Sequence, residues 1–119
     1  NYLDSSADDR PRRNALPAYK FRRVLAAMEA DLARDFNLRQ LAEVAGMSEC
    51  HFSRMFKKAA GYSPLQFFIR LRMARARQLL LETDQSIIDV GLEVGYSSHS
   101  HFSQVFKREV GVTPTQYRQ

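Results

Sequence analysis

Thiol chemistry is almost absent from this chain: its 119 residues include one cysteine, Cys50. A lone cysteine forms no internal disulfide, and without a C-x-x-C pair a structural zinc site has no framework. Such usage fits a reducing, cytoplasmic setting. Long apolar runs are missing as well. Nothing approaches the roughly 18 residues that a membrane-spanning helix needs, and the apolar stretch of a secretory signal is not found. Paired carboxylates, a nucleophile elbow and a phosphate-cradling glycine loop are all lacking, so the chain is not expected to be an enzyme and no cofactor is implied. The first residue is Asn1 rather than Met, which reads as a fragment of something longer or, equally, as a processed or trimmed terminus.

What is there is ordinary in amount. Apolar residues make up 45% and charged residues 26%, the balance of a globular chain with one compact domain or two very small subdomains. Eighteen Lys and Arg against thirteen Asp and Glu leave a net charge of +5. That sign favours a nucleic-acid partner, although many basic proteins bind nothing acidic.

The order of the residues says more. The stretch F-S-R-M-F-K-K-A-A-G-Y-S-P-L-Q-F, from Phe52 to Phe67, returns as F-S-Q-V-F-K-R-E-V-G-V-T-P-T-Q-Y, from Phe102 to Tyr117. Phe52 pairs with Phe102, Ser53 with Ser103, Phe56 with Phe106, Lys57 with Lys107, Gly61 with Gly111 and Pro64 with Pro114. Upstream, Leu41 to Ser48 echoes Val90 to Ser97 in a register one residue shorter, so the second copy carries one extra residue. A unit of about fifty residues buries little core alone, and two copies are expected to stabilise one another.

The apolar spacing and the capping residues predict seven helices and no strand. Residues 1–16 are expected to be a linker or flexible tail, with acidic residues followed by basic ones. Phe21, Val24, Leu25, Met28 and Leu32 recur at three and four, predicting a helix from Pro17 that closes near Asp35. Asn37, Ser48, Ser63, Ser86 and Thr113 stand where N-caps are expected, and a helix of about Ser98 to Val110 follows the corner at Gly95-Tyr96-Ser97. Ser63-Pro64-Leu65-Gln66 opens a long helix to about Glu82, roughly 28 Å at about 1.5 Å per residue. The expected organisation is a first subdomain over 17–63, a linker helix over 64–82 and a second subdomain over 83–119.

Within each copy the pattern is that of a helix-turn-helix. A small residue, Ala42 or Gly91, lets two helices pack closely, and a glycine four positions on, Gly46 or Gly95, makes the corner. In the second helix of the pair, about 100° per residue gathers Phe52, Met55, Phe56 and Ala59 on one side and Cys50, Ser53, Arg54 and Lys57 on the other. The second copy sets Phe102, Val105, Phe106 and Val110 against Ser100, Ser103, Gln104 and Lys107. A polar stripe ending in lysine suits a major groove, where polar groups read base edges and cations meet phosphates. One such stripe alone is more simply a solvated face. Two matched stripes on two matched frames favour DNA.

These motifs, above all G-Y-S-S-H-S-H-F-S-Q-V-F-K-R-E-V-G-V-T-P-T-Q-Y-R from Gly95 to Arg118, resemble the DNA-binding domain of the AraC/XylS family of bacterial transcription regulators. The resemblance covers about Pro17 to Arg118. It implies an all-α, homeodomain-like fold in which a long helix joins two helix-turn-helix units, and a double-stranded DNA partner read by two helices about 34 Å apart, one turn of duplex. Carried over by position, the base-reading residues are Cys50, Ser53 and Arg54, flanked by Glu49 and His51, and in the second unit His99, Ser100, Ser103 and Gln104. Lys57 and Lys107 would meet phosphates, as would backbone N–H groups at the helix starts Leu38, Ile87 and Thr115. Gln104 departs from the family pattern, which usually has Arg there. The resemblance also implies contact with RNA polymerase, for which the helix bearing Arg22, Arg23 and Glu29 is a candidate. It further implies a separate N-terminal domain that binds an effector or dimerises, joined through Asp8 to Asn14. With no coiled coil evident, this chain alone is expected to be monomeric.

The remaining residues have plainer readings. His51, His99 and His101 with Cys50 invite a metal, but their spacing matches no usual ligand set. Arg70, Arg72, Arg75 and Arg77 on the long helix fit DNA-backbone contacts or, equally, salt bridges and solvated positions. The rival to a DNA-binding domain is a helical protein-interaction module whose polar stripes face a protein.

Overall fold

Six side-chain caps set the starts of the helices. In the computed structural model, which describes residues 15–119, Asn37 Oδ1 accepts from the Gln40 N–H at 3.0 Å and Ser48 Oγ from that of His51 at 3.2 Å. Ser63 Oγ accepts from Gln66 N–H at 3.2 Å, Ser86 Oγ from Asp89 at 3.0 Å and Ser98 Oγ from His101 at 3.1 Å. At Thr113 the exchange is reciprocal: its hydroxyl accepts from the Gln116 N–H, and Gln116 Oε1 accepts from the Thr113 N–H. Each cap satisfies a donor that the first turn leaves without an intrahelical partner and is worth about 1 kcal/mol.

The resulting elements are α1 (Ala18–Ala30), α2 (Leu38–Ala45), α3 (Glu49–Ala60), α4 (Pro64–Glu82), α5 (Ile87–Glu93), α6 (His99–Val110) and α7 (Pro114–Arg118). The all-α class and the seven helices read from the sequence are those observed among the described residues. Of the expected tail, residues 1–14 lie outside the described part. Ala15 and Leu16 are buried, and the Leu16 N–H donates to the Met55 carbonyl at 3.2 Å, so these two residues pack as part of the fold and not as tail.

The described chain divides into two units. One runs to Ala30 and resumes over Phe36–Phe67; the other joins Asp31–Asp35 to Phe68–Gln119. The first unit is centred on Val24, Met28, Leu41, Ala45, Phe52 and Phe56, all buried. Phe56 stacks on Phe21 with ring centroids 5.3 Å apart and meets Phe67 edge-on at 5.3 Å. The second unit is built around Met73, Ala76, Leu79, Leu80, Val90, Val94, Tyr96, Phe102, Val105 and Phe106, with Ile69, Ile87, Val110 and Tyr117 packed against them.

The first helix ends five residues before the apolar spacing suggests. Asp31 to Arg34 form a turn, with the Arg34 N–H on the Asp31 carbonyl at 3.1 Å, and Asp31–Asp35 belong to the second unit. The cause is Arg72 on α4. Its guanidinium donates to the carbonyls of Leu32 (2.8 Å) and Arg34 (2.6 Å), satisfying acceptors that a helix end would otherwise leave open. It stands 4.5 Å from the Phe68 ring centre and 5.2 Å from that of Tyr96. Arg118 does the same at the other end of α4, donating to the carbonyls of Leu80 and Thr83 at 3.0 and 3.3 Å.

Candidate nucleic-acid interface

α3 and α6 are each held by a pair of phenylalanines one turn apart. Phe52 and Phe56 on α3, and Phe102 and Phe106 on α6, are wholly buried. Their rings sit 5.6 and 5.8 Å apart. Residues four apart share a helix face, so anchoring these positions fixes which side of each helix is left outside.

The corners that precede α3 and α6 repeat with one difference. Gly46 adopts φ +70°, and the Met47 N–H reaches back to the Ala42 carbonyl at 3.0 Å; Gly95 adopts φ +99°, and the Tyr96 N–H reaches the Gly91 carbonyl at 2.8 Å. The left-handed backbone there suits a residue without Cβ. The cap of α3, Ser48, stands two residues after its glycine, whereas Ser98 stands three after Gly95. The extra residue of the second copy is thus taken up in the corner, at Ser97. Gly95 has a second reason to be glycine: a Cβ would lie 2.5 Å from Arg72 Nη2 and 3.0 Å from the Leu32 carbonyl oxygen. At Gly91, the position that answers to Ala42 in the first copy, a Cβ would lie 3.0 Å from Phe102 Cγ.

The residues singled out in the sequence fall on the outward sides of these two helices. On α3, Glu49, Cys50, His51, Arg54 and Lys57 are exposed and Ser53 is half-buried. On α6, His99, Ser100, Gln104 and Lys107 are exposed and Ser103 is half-buried. His101 is exposed too, with its ring edge-on to Tyr96 at 5.2 Å. Arg54 Nη1 lies 3.5 Å from Cys50 Sγ, one turn back along the helix. Each helix carries cations in its last turn, Lys57 and Lys58 on α3 and Lys107 and Arg108 on α6, where they favour the helix dipole.

The four arginines of α4 part company. Arg72 is 8% exposed and donates to backbone carbonyls, with no ion pair among the described residues, which corrects the sequence reading. Arg75 pairs with Glu93 at 3.5 Å between half-exposed side chains, a contact worth about 0–1 kcal/mol. Arg70 and Arg77 are exposed. No group of three or more His, Cys, Asp or Glu among the described residues is placed to hold a metal ion, and no described helix is long and apolar enough to cross a membrane. Arg72 is the position that sequence reasoning undervalued, whereas the close packing read at Gly91 is what the structure shows.

Comparison with known proteins bears on what these faces do. Residues 41–119 match the family described as a helix-turn-helix domain. The HTH-type transcriptional regulator GbdR of Pseudomonas aeruginosa is 38% identical over 77 residues, covering 65% of this chain and 21% of that protein. A Chromobacterium violaceum transcriptional regulator of the AraC-type DNA-binding-domain proteins, known from a crystal structure, is 34% identical. It superposes with a TM-score of 0.79 over 85% of this chain and 90% of its own. The DNA-binding domain of AdpA, solved in complex with a target DNA, is 33% identical with a TM-score of 0.76 over 83% of this chain and 88% of its own. The chain spans about a fifth of the length of GbdR.

Proposed function

Because this chain belongs to the AraC-type helix-turn-helix family of transcription regulators, we propose that it binds double-stranded DNA in a sequence-specific way, with α3 and α6 as recognition helices entering successive major-groove segments. The observation that carries this is the pair of matched outward faces, each ending in lysine and each set on its own capped, phenylalanine-anchored helix. The base-reading roles fall to Cys50, Ser53 and Arg54, with Glu49 and His51 beside them, and to His99, Ser100, Ser103 and Gln104. Lys57 and Lys107 take phosphates. A net charge of +5 supports the electrostatic part of such binding.

The family's work is transcription regulation, and on that ground the chain acts by binding and not as an enzyme. It works in the bacterial cytoplasm as the DNA-binding part of a longer, effector-responsive protein, monomeric alone and dimeric in the whole. α1, with Arg22, Arg23 and Glu29 exposed, is offered to RNA polymerase.

A gel-shift series with specific duplex against random competitor tests the central claim. Retention of a preferred duplex, with affinity falling steeply as salt rises, is the expected result. Equal displacement by every duplex would overturn it, and salt-insensitive capture of a protein in place of DNA would support the interaction-module reading.

A further inference from the structure

The internal repeat allows the two recognition helices to be compared as if one were a variant of the other. From Glu49 to Lys57 and from His99 to Lys107 the caps, the buried phenylalanines, the half-buried serine and the terminal lysine all correspond. Of the outward residues, His51 matches His101, Ser53 matches Ser103 and Lys57 matches Lys107. Only Glu49 against His99, Cys50 against Ser100 and Arg54 against Gln104 differ. Cysteine and serine are close in shape, so the changes in hydrogen-bonding capacity lie at the first and third pairs, and the third is the one whose two side chains complement different purines.

Arg54 carries donors and no acceptor; Gln104 carries a carbonyl and an amide NH₂ side by side. In the major groove guanine offers two acceptors, N7 and O6, whereas adenine offers the acceptor N7 beside the donor N6–H₂. Arginine therefore complements guanine, and glutamine complements adenine. Arg54 leans back toward the start of its helix, with Nη1 3.5 Å from Cys50 Sγ, as long helical side chains do, and the start of a recognition helix is the part that meets base edges. That contact with a weak acceptor is the one hydrogen bond the guanidinium makes among the described residues, which leaves its other donors available.

We infer that the two units read different bases at this position, a guanine through Arg54 and an adenine through Gln104. This rests on the DNA-binding reading above. Because His51, Ser53 and Lys57 have counterparts in the second unit, the difference in preference is carried by the three pairs that differ, and the guanine-against-adenine part of it by Arg54 and Gln104.

Binding-site selection from a random duplex library, run with the 119-residue chain and with its Gln104→Arg and Arg54→Gln variants, tests it. Both positions are exposed, and matching circular-dichroism melts establish that the variants fold. The expected consensus for the parent chain has an invariant guanine in one box and an adenine in the other. Gln104→Arg turns that adenine to guanine and leaves the first box alone, and Arg54→Gln turns the guanine to adenine. In competition, replacing the guanine costs the parent about 5- to 150-fold in affinity and costs Arg54→Gln little. Two identical boxes, or a consensus that neither variant moves, would overturn the inference while leaving DNA binding intact. Loss of all enrichment in the parent chain would overturn both.

Discussion

Replacing Arg72 with methionine tests whether a buried cation bonded to backbone carbonyls holds the second unit together. Methionine keeps much of the length and the apolar stem but loses the two bonds to the Leu32 and Arg34 carbonyls. Hydrogen bonds to a charged group contribute about 1.5–3 kcal/mol each. The guanidinium's position near Phe68 and Tyr96 adds about 0.5–2 kcal/mol. Against this, methionine avoids the desolvation that a buried charge incurs, and because Arg34 is exposed its carbonyl can turn to water. The net expectation is a loss of about 2–3 kcal/mol. Arg72→Lys, whose single ammonium replaces the fork that reaches two carbonyls at once, should fall between, at about 1–2 kcal/mol. Urea denaturation followed by helical circular dichroism measures the loss, and amide exchange resolved at Phe102 and Phe106 reports on the second unit separately. A methionine variant within about 0.5 kcal/mol of the parent, the range of an ordinary surface change, or a lysine variant equal to arginine, would refute the argument.

Gly91→Ala should destabilise α5 against α6 by about 1 kcal/mol, since overpacking of about 1–3 kcal/mol against the wholly buried Phe102 outweighs a gain of about 1 kcal/mol in helix propensity; a stabilised variant in thermal melts would contradict it. Arg54→Ala should weaken the preferred duplex by about 1–3 kcal/mol at one base position only, whereas Lys57→Ala should weaken every duplex alike and reduce the salt slope by about 1. Fluorescence anisotropy over a salt series distinguishes the two, and equal effects on all sequences would remove the division of labour. Ser98→Ala removes the cap on the His101 N–H and should cost about 1 kcal/mol of stability by urea denaturation, with Ser98→Asp restoring most of it.

What the sequence revealed and what it hid divide by distance along the chain. The caps act over three residues, as from Ser48 to His51, and the buried phenylalanines recur over four, so helix starts and faces could be read locally. The repeat then doubled each signal. Arg72 was opaque because its partners lie 38 and 40 residues away, and an arginine on a helix reads as solvated until those carbonyls are in place. For the same reason α1 was read too long: Leu32 keeps the apolar spacing, but its carbonyl accepts from Arg72, 40 residues further on. The faces of α3 and α6 were legible from periodicity, while the base each side chain meets depends on chemistry that no spacing records.

The reach of Arg72 has a practical side. Because Asp31–Asp35 are grouped with Phe68–Gln119, the second unit is written in two pieces of sequence, with the greater part of the first unit spelled out between them. A single protease nick or gene truncation placed anywhere from Phe36 to Phe67 would part the guanidinium from its acceptors on the chain. A recombinant fragment starting at Phe68 would carry the cation without the carbonyls that receive it. Anyone wishing to study the second helix-turn-helix in isolation should append Asp31–Asp35 as a separate peptide or by rejoining the chain, and judge success by whether Arg72 is once more shielded from water.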